Sequence, residues 1–326
     1  MVLALPHGKE IYIFFSKYGL YGIIGILLSG TILGILTSKV LKIIGKEQEV
    51  NTYNEFLFYI FNNKNSKLVV ILNYIINTFL LITFYIMVSG FTAYFKQEYN
   101  IPNYMTGIIL AILCYVALNN NIDEVVKISA ILVPVIILFI ISFGLFDISN
   151  GINQVLEMNF IANNFIRGMW NGIIYSSYNS IILIPVLVTL KKYVNKKNFY
   201  SIGVITSLVV IVLSLFIYII LLKSNIDIIE FDLPIIYIVK QYGSVFKYLY
   251  GVVIVISIFT SIISAGYSFL KNSIKNKKNY SKLLKVMCIS SIFITNIGFS
   301  NLVNTLYPIF GILGIVQIYY ILKIKI

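Results

Sequence analysis

A single histidine, His7, serves the whole chain, alongside one arginine and one tryptophan. One imidazole near the start cannot build a Ser–His–Asp set or a histidine metal site. The two cysteines, Cys114 and Cys288, lie in separate apolar runs without CxxC spacing, so neither a disulfide nor a zinc site is indicated. Charge is scarce too: 11% of residues are charged, where soluble domains carry about a quarter. No phosphate-binding loop or dinucleotide fingerprint appears, which excludes nucleotide-driven pumping by this chain. Carboxylate pairs such as Asp123-Glu124 fall between apolar runs. The expectation is a protein that is not an enzyme and holds no organic cofactor.

What is present is apolar. Hydrophobic residues make up 59% of 326, and the mean hydropathy is +0.91. A core able to hide that much apolar surface from water is implausible for one chain, so the solvent is a bilayer. About 20 apolar residues cross it as a helix. Strict alternation over ten-residue segments is absent, which argues against a transmembrane barrel. The runs predict a short first piece at 9–18, then spans at 19–41, 68–95, 103–119, 126–147, 168–190, 200–222, 244–270, 283–298 and 301–322. They form one polytopic membrane domain over 1–326, with no separate soluble unit and no cleavable signal peptide. EFLFYIF (55–61) and DLPIIYIVKQYGSVF (232–246) read as short amphipathic helices outside the spans, the second at the membrane interface.

The net charge of +13 does not point to nucleic acid, because the lysines lie between apolar runs. Most of them fall in alternate loops, 39–67, 120–127, 191–197 and 271–285, and in the tail after 322. The intervening loops hold Lys96, Arg167 and Lys223 with Asp147, Glu157, Asp227, Glu230 and Asp232. The positive-inside rule makes the lysine-rich set cytoplasmic, together with both termini, in a cell membrane.

Several stretches are too polar for their setting. IIYSSYNSIILIP (173–185) carries six hydrogen-bonding side chains in a row, Tyr175 to Ser180. On a helix Tyr175 and Asn179 are one turn apart, with Tyr178 beside them. An unpaired polar group in hydrocarbon costs several kcal/mol, so these side chains face other helices or a cavity. Gly172 and Pro185 predict a local opening of the helix around them. Interhelical packing by the serines is the competing reading. LALPHGKEIYIFF (3–15) sets Pro6, His7, Gly8, Lys9 and Glu10 before an apolar piece. A carboxyl at the membrane boundary marks function by default; the alternative is a solvated end. Ser257, Thr260, Ser261 and Ser264 share one helix face. They either pack against their own backbone or offer oxygens to sodium. Asn73, Asn77, Thr83 and Tyr85 line 68–95, and packing explains them as well as solute contact does. Arg167 beside Trp170 reads as an interface anchor.

GKEIYIFFSKYGLYGIIG (8–25), KISAILVPVII (127–137), WNGIIYSSYNSIILIPVLV (170–188), LPIIYIVKQYG (233–243), IFTSIISAGY (258–267) and GFSNLVNTLYPIFGILG (298–314) carry a resemblance. In order and spacing they resemble the YkvI-like family of bacterial membrane proteins, within the amino acid–polyamine–organocation transporter superfamily. The resemblance implies ten helices in two inverted five-helix repeats, about 1–147 and 168–322, the LeuT-like arrangement. It implies discontinuous first and sixth helices, here Pro6 to Glu10 (with Gly8) and Tyr175 to Asn179. It also implies a sodium site at Thr260-Ser261 and a solute-flanking third helix bearing Asn77 and Tyr85. Tyr175, Ser176, Tyr178 and Asn179 would contact solute, and Glu10 would handle a proton or charge. The first helix of this fold normally begins well upstream, so a start at Met1 leaves that helix truncated.

The function so implied is secondary transport of a small solute, an amino acid or related amine, coupled to sodium or protons. The alternatives are a solute-sensing receptor on a transporter fold, acting with protein partners, and a truncated paralogue that does not transport.

Overall fold

The computed structural model describes residues 8–47, 50, 52–61, 66–119, 122–150, 164–189, 191, 198–224, 231–274 and 277–324. Pro6 and His7 lie outside them. The regular elements among the described residues are all helical, with no strand. They form α1 (Gly8–Phe14), a 3-10 turn (Ser16–Tyr21), α2 (Gly22–Lys46), α3 (Tyr53–Ile60), α4 (Ser66–Tyr99), α5 (Asn103–Asn119) and α6 (Ile122–Ser149). After these come α7 (Asn164–Thr189), α8 (Phe199–Lys223), α9 (Pro234–Lys240), α10 (Ser244–Ser273), α11 (Lys277–Ile294) and α12 (Phe299–Lys323). Among the described residues seven helical stretches are long and apolar enough to cross a membrane. The architecture is that of an all-α integral membrane protein. Of the nine full spans expected, α5 has seventeen residues and α11 opens on lysines, and the short first piece shows seven helical residues among those described.

α7 sits at the centre. In its most apolar window 89% of residues are buried, against 28% for Ala130–Ser149 of α6. α2 and α12 flank it, and α4, α10 and α1 complete the ring. The close approach is made by glycine. A Cβ on Gly172 would lie 2.6 Å from the Gly25 carbonyl oxygen, and one on Gly314 would lie 2.6 Å from that of Ser177. Here the expectation of a loosened helix is corrected. α7 runs unbroken from Asn164 to Thr189 through both Gly172 and Pro185. Gly172 is there for contact with α2, and the proline is absorbed inside the helix.

The two short helices exist, and both are covered by protein. α3 starts on a capping box: Glu55 N–H donates to Thr52 Oγ1 (3.3 Å) and Thr52 N–H to Glu55 Oε2 (2.9 Å). Its Tyr53, Phe56, Leu57 and Ile60 are buried. α9 begins with Pro234 in its first turn, where the missing N–H costs no bond. It buries Pro234, Ile235, Ile236, Ile238 and Val239 against α1, α8 and α10.

Polar ties hold the helix ends at the acid-bearing end of the bundle. Asp147, expected in a loop, is the third-last residue of α6 and is buried. The Lys223 ammonium lies 3.4 Å from its Oδ1 and also donates to its carbonyl. The Tyr242 hydroxyl donates to Oδ1 as well. Burial, then that hydrogen bond and the Asp147 charge, push the Tyr242 hydroxyl up to about 12. Lys247 pairs with Glu98 at 2.8 Å, and Asp232 accepts from the Ser300 N–H (3.0 Å) and hydroxyl. Removing one partner of a buried pair leaves a bare charge, which costs about 3–5 kcal/mol. Lys223→Met is therefore expected to lower the melting temperature in detergent sharply. Adding Asp147→Asn should restore most of the loss.

Candidate functional site

α1 brings its apolar and acidic residues together at helical spacing. Glu10 and Phe14 share one face, and both are buried. The helix stops at Phe15, where φ −131° and ψ −57° leave the helical region. The chain then turns through Gly19, whose φ of 59° favours glycine. The Tyr218 hydroxyl of α8 donates to the Gly19 carbonyl at 2.5 Å and ties the turn to the bundle.

This geometry points Glu10 at the centre of α7. The Tyr178 hydroxyl donates to Glu10 Oε2 at 2.7 Å. Rings surround that bond. Tyr178 stacks on Tyr307 of α12 (centroids 4.5 Å apart, 24° between planes) and on Phe14 (5.4 Å, 29°). Tyr175 stands edge-on to Tyr178 at 5.3 Å and packs on Phe15 at 4.9 Å. Phe79 of α4 closes on Tyr307 from the far side. The second carboxylate oxygen, Glu10 Oε1, is buried and makes no hydrogen bond among the described residues. The buried Tyr307 hydroxyl neighbours the same carboxylate and likewise closes no hydrogen bond of good geometry. A buried acceptor left open is costly, and its presence asks for a partner.

The other predicted residues divide. Tyr175 and Tyr178 join Glu10. Asn179 donates to the Tyr175 carbonyl (2.9 Å) and Ser176 to that of Ile173 (2.8 Å), so both close on their own helix. Gly8 packs on α9, since a Cβ there would lie 2.5 Å from the Ile235 side chain. The Tyr85 hydroxyl shares a 2.7 Å hydrogen bond with Ser290 of α11. Asn77 donates weakly to Asn73 Oδ1 at 3.5 Å. Thr260 and Ser261 are buried on α10, and both donate to the Ser257 carbonyl at 2.9 Å. Their oxygens keep lone pairs, so the hydroxyl stripe packs without losing the ability to accept a cation.

Tyr307, Phe14 and Phe79 were not singled out from the sequence. Tyr307 stands directly before Pro308, which is the one local signal it gives. Aromatic residues are too frequent in this chain for that signal to stand out.

No family model matches the chain. It is similar to the uncharacterized membrane protein YkvI of Bacillus subtilis (strain 168), at 24% identity over 311 residues that cover 93% of this chain and 86% of that protein.

Proposed function

We propose that this protein is a secondary transporter of a small amine or amino acid, built as the YkvI-like branch of its superfamily. The solute's ammonium would sit against Glu10, and a proton or sodium ion would drive the cycle. One observation carries the reading: a buried carboxylate, half satisfied by Tyr178 and walled by Phe14, Tyr175 and Tyr307, lies where α1 meets the central helix. Intramembrane carboxylates face sites and pathways, and aromatic faces favour cations. The unbroken α7 leaves the backbone N–H groups of 175–179 within their helix. That favours the cationic end of the solute over a free carboxylate as the group held there.

The helix pairing supports a two-repeat plan. α2 packs on α8, α4 on α10 and α5 on α11, each member five spans from its mate if α1 is the first. In such folds the site lies between the repeats near the midplane. Thr260 and Ser261 remain the proposed sodium ligands. The polar ties at Asp147, Glu98 and Asp232 would form the outer gate that alternating access opens.

Thermal stability in detergent tests the reading. A ligand at a hundredfold excess over its dissociation constant should add about 2.7 kcal/mol of stability. An amine in a panel of amines and amino acids is expected to do so in the native chain, and Tyr178→Phe to weaken the shift. A panel that shifts neither protein, with both folded, would remove the site.

A further inference from the structure

The crossing of α2 and α8 leaves a cavity at the lysine-rich end of the bundle. The two backbones touch there. A Cβ on Gly203 would lie 2.5 Å from the Gly34 carbonyl oxygen and 1.8 Å from Ser38 Oγ; one on Gly34 would lie 2.7 Å from the Gly203 carbonyl oxygen. With no side chains to fill the groove beside this contact, about 460 Å³ stays open. Ser38, Ser207, Ile35 and Val204 line it, and Lys39, Lys42 and Tyr200 line it towards its mouth, where α2 ends and α8 begins.

The cavity is remote in character from the Glu10 site. Its apolar walls face outward: Ile35 is 56% exposed and Val204 42%. In a membrane protein such apolar walls meet acyl chains. Exposed Ile205 and Leu208 continue that apolar track along α8. At the mouth the chemistry changes sign. Lys39 and Lys42 are three residues apart on α2. The Lys39 ammonium also donates to the Leu322 carbonyl at 2.5 Å, which holds it at the rim. An oxyanion at the top of an apolar groove is what this pattern complements.

We propose that this cavity binds an anionic phospholipid of the lysine-side leaflet. The phosphate would lie between Lys39, Lys42 and the Tyr200 hydroxyl, with an acyl chain along Ile35, Val204 and Leu208. Basic pockets between transmembrane helices hold acidic headgroups in this way. The lipid would bridge α2 and α8 across their closest contact, and through Lys39 it would reach the end of α12.

The test uses the purified full chain in neutral detergent and phosphatidylglycerol, with phosphatidylcholine and inorganic phosphate as the other arms. Native mass spectrometry is expected to retain phosphatidylglycerol in preference to phosphatidylcholine. Loss of both lysines in Lys39→Gln/Lys42→Gln should weaken that retention by about thirtyfold. Because Lys39 also ties α12, Lys42→Gln alone is the check against a folding effect and should weaken retention several-fold. Lys46→Gln lies outside the cavity and should leave it unchanged. Equal retention of the two lipids would overturn the proposal, as would unchanged affinity in both cavity variants. Binding of inorganic phosphate that displaces the lipid would overturn the lipid assignment.

Discussion

Glu10→Gln is expected to abolish concentrative uptake in proteoliposomes while leaving the folded yield intact. The amide keeps the shape of the side chain and an acceptor for the Tyr178 hydroxyl, so the aromatic wall has no reason to move. What disappears is the charge that would hold an ammonium. Truncating one partner of a buried charge pair costs about 2–5 kcal/mol, which is about thirtyfold or more in affinity. Solute binding in detergent should fall by that factor. Uptake driven by a proton gradient should vanish, because an amide does not exchange a proton with the carboxylate's ease. Tyr85 makes a useful contrast, since its hydroxyl already meets Ser290. Unchanged uptake in Glu10→Gln would show that neither solute nor proton uses this carboxylate.

Gly172→Val is expected to lower stability strongly. The new Cβ would meet the Gly25 carbonyl oxygen at 2.6 Å, its Cα at 2.8 Å and its carbonyl carbon at 3.1 Å. All three are backbone atoms, so no side chain can swing aside. Gly25 in turn would collide with the Gly168 carbonyl oxygen at 2.5 Å if it carried a Cβ. Overpacking costs about 1–3 kcal/mol and occasionally more. A β-branched group against fixed backbone belongs at the upper end. Gly172→Ala decides between two roles by its sign. In an ordinary helix position alanine is favoured over glycine by about 1 kcal/mol. If the residue were a hinge, alanine would raise the melting temperature. With the Gly25 contact it should lower it, and a rise would refute the packing role.

Much of the fold was legible because span length is set by the bilayer and written in apolar runs. The run 68–95 became Ser66–Tyr99, 103–119 became Asn103–Asn119, and 200–222 became Phe199–Lys223. Legibility failed where one residue type has two uses. Glycine both loosens a helix and lets helices touch, and only the partner helix decides; at Gly172 it was touch. The apolar face of α9 reads the same whether lipid or protein covers it, so its contacts with α1, α8 and α10 left no local signal. Asp147 looked like a loop residue because a lone acid at a span's edge says nothing about Lys223, which lies 76 positions on. At the candidate site, Glu10, Tyr175 and Tyr178 were visible as polarity out of place. Tyr307 was not, since its meeting with Tyr178 is made by packing and has no local trace.

The central place of α7 also has a consequence for how the protein reaches the membrane. α7 is the least apolar of the seven long spans, and α8, which follows it, is the most apolar. A helix carrying Tyr175 to Ser180 partitions poorly into lipid when alone, because each polar group counts against insertion. Of the two helices that flank it, α2 has already been synthesised and α12 is made last; α8 only follows it in the chain. The glycine surface of α2 is then a ready receptor for a reluctant guest, and α8 is the anchor that keeps it from slipping back. Biogenesis would proceed by insertion of α7 against α2, with α12 covering its other flank last.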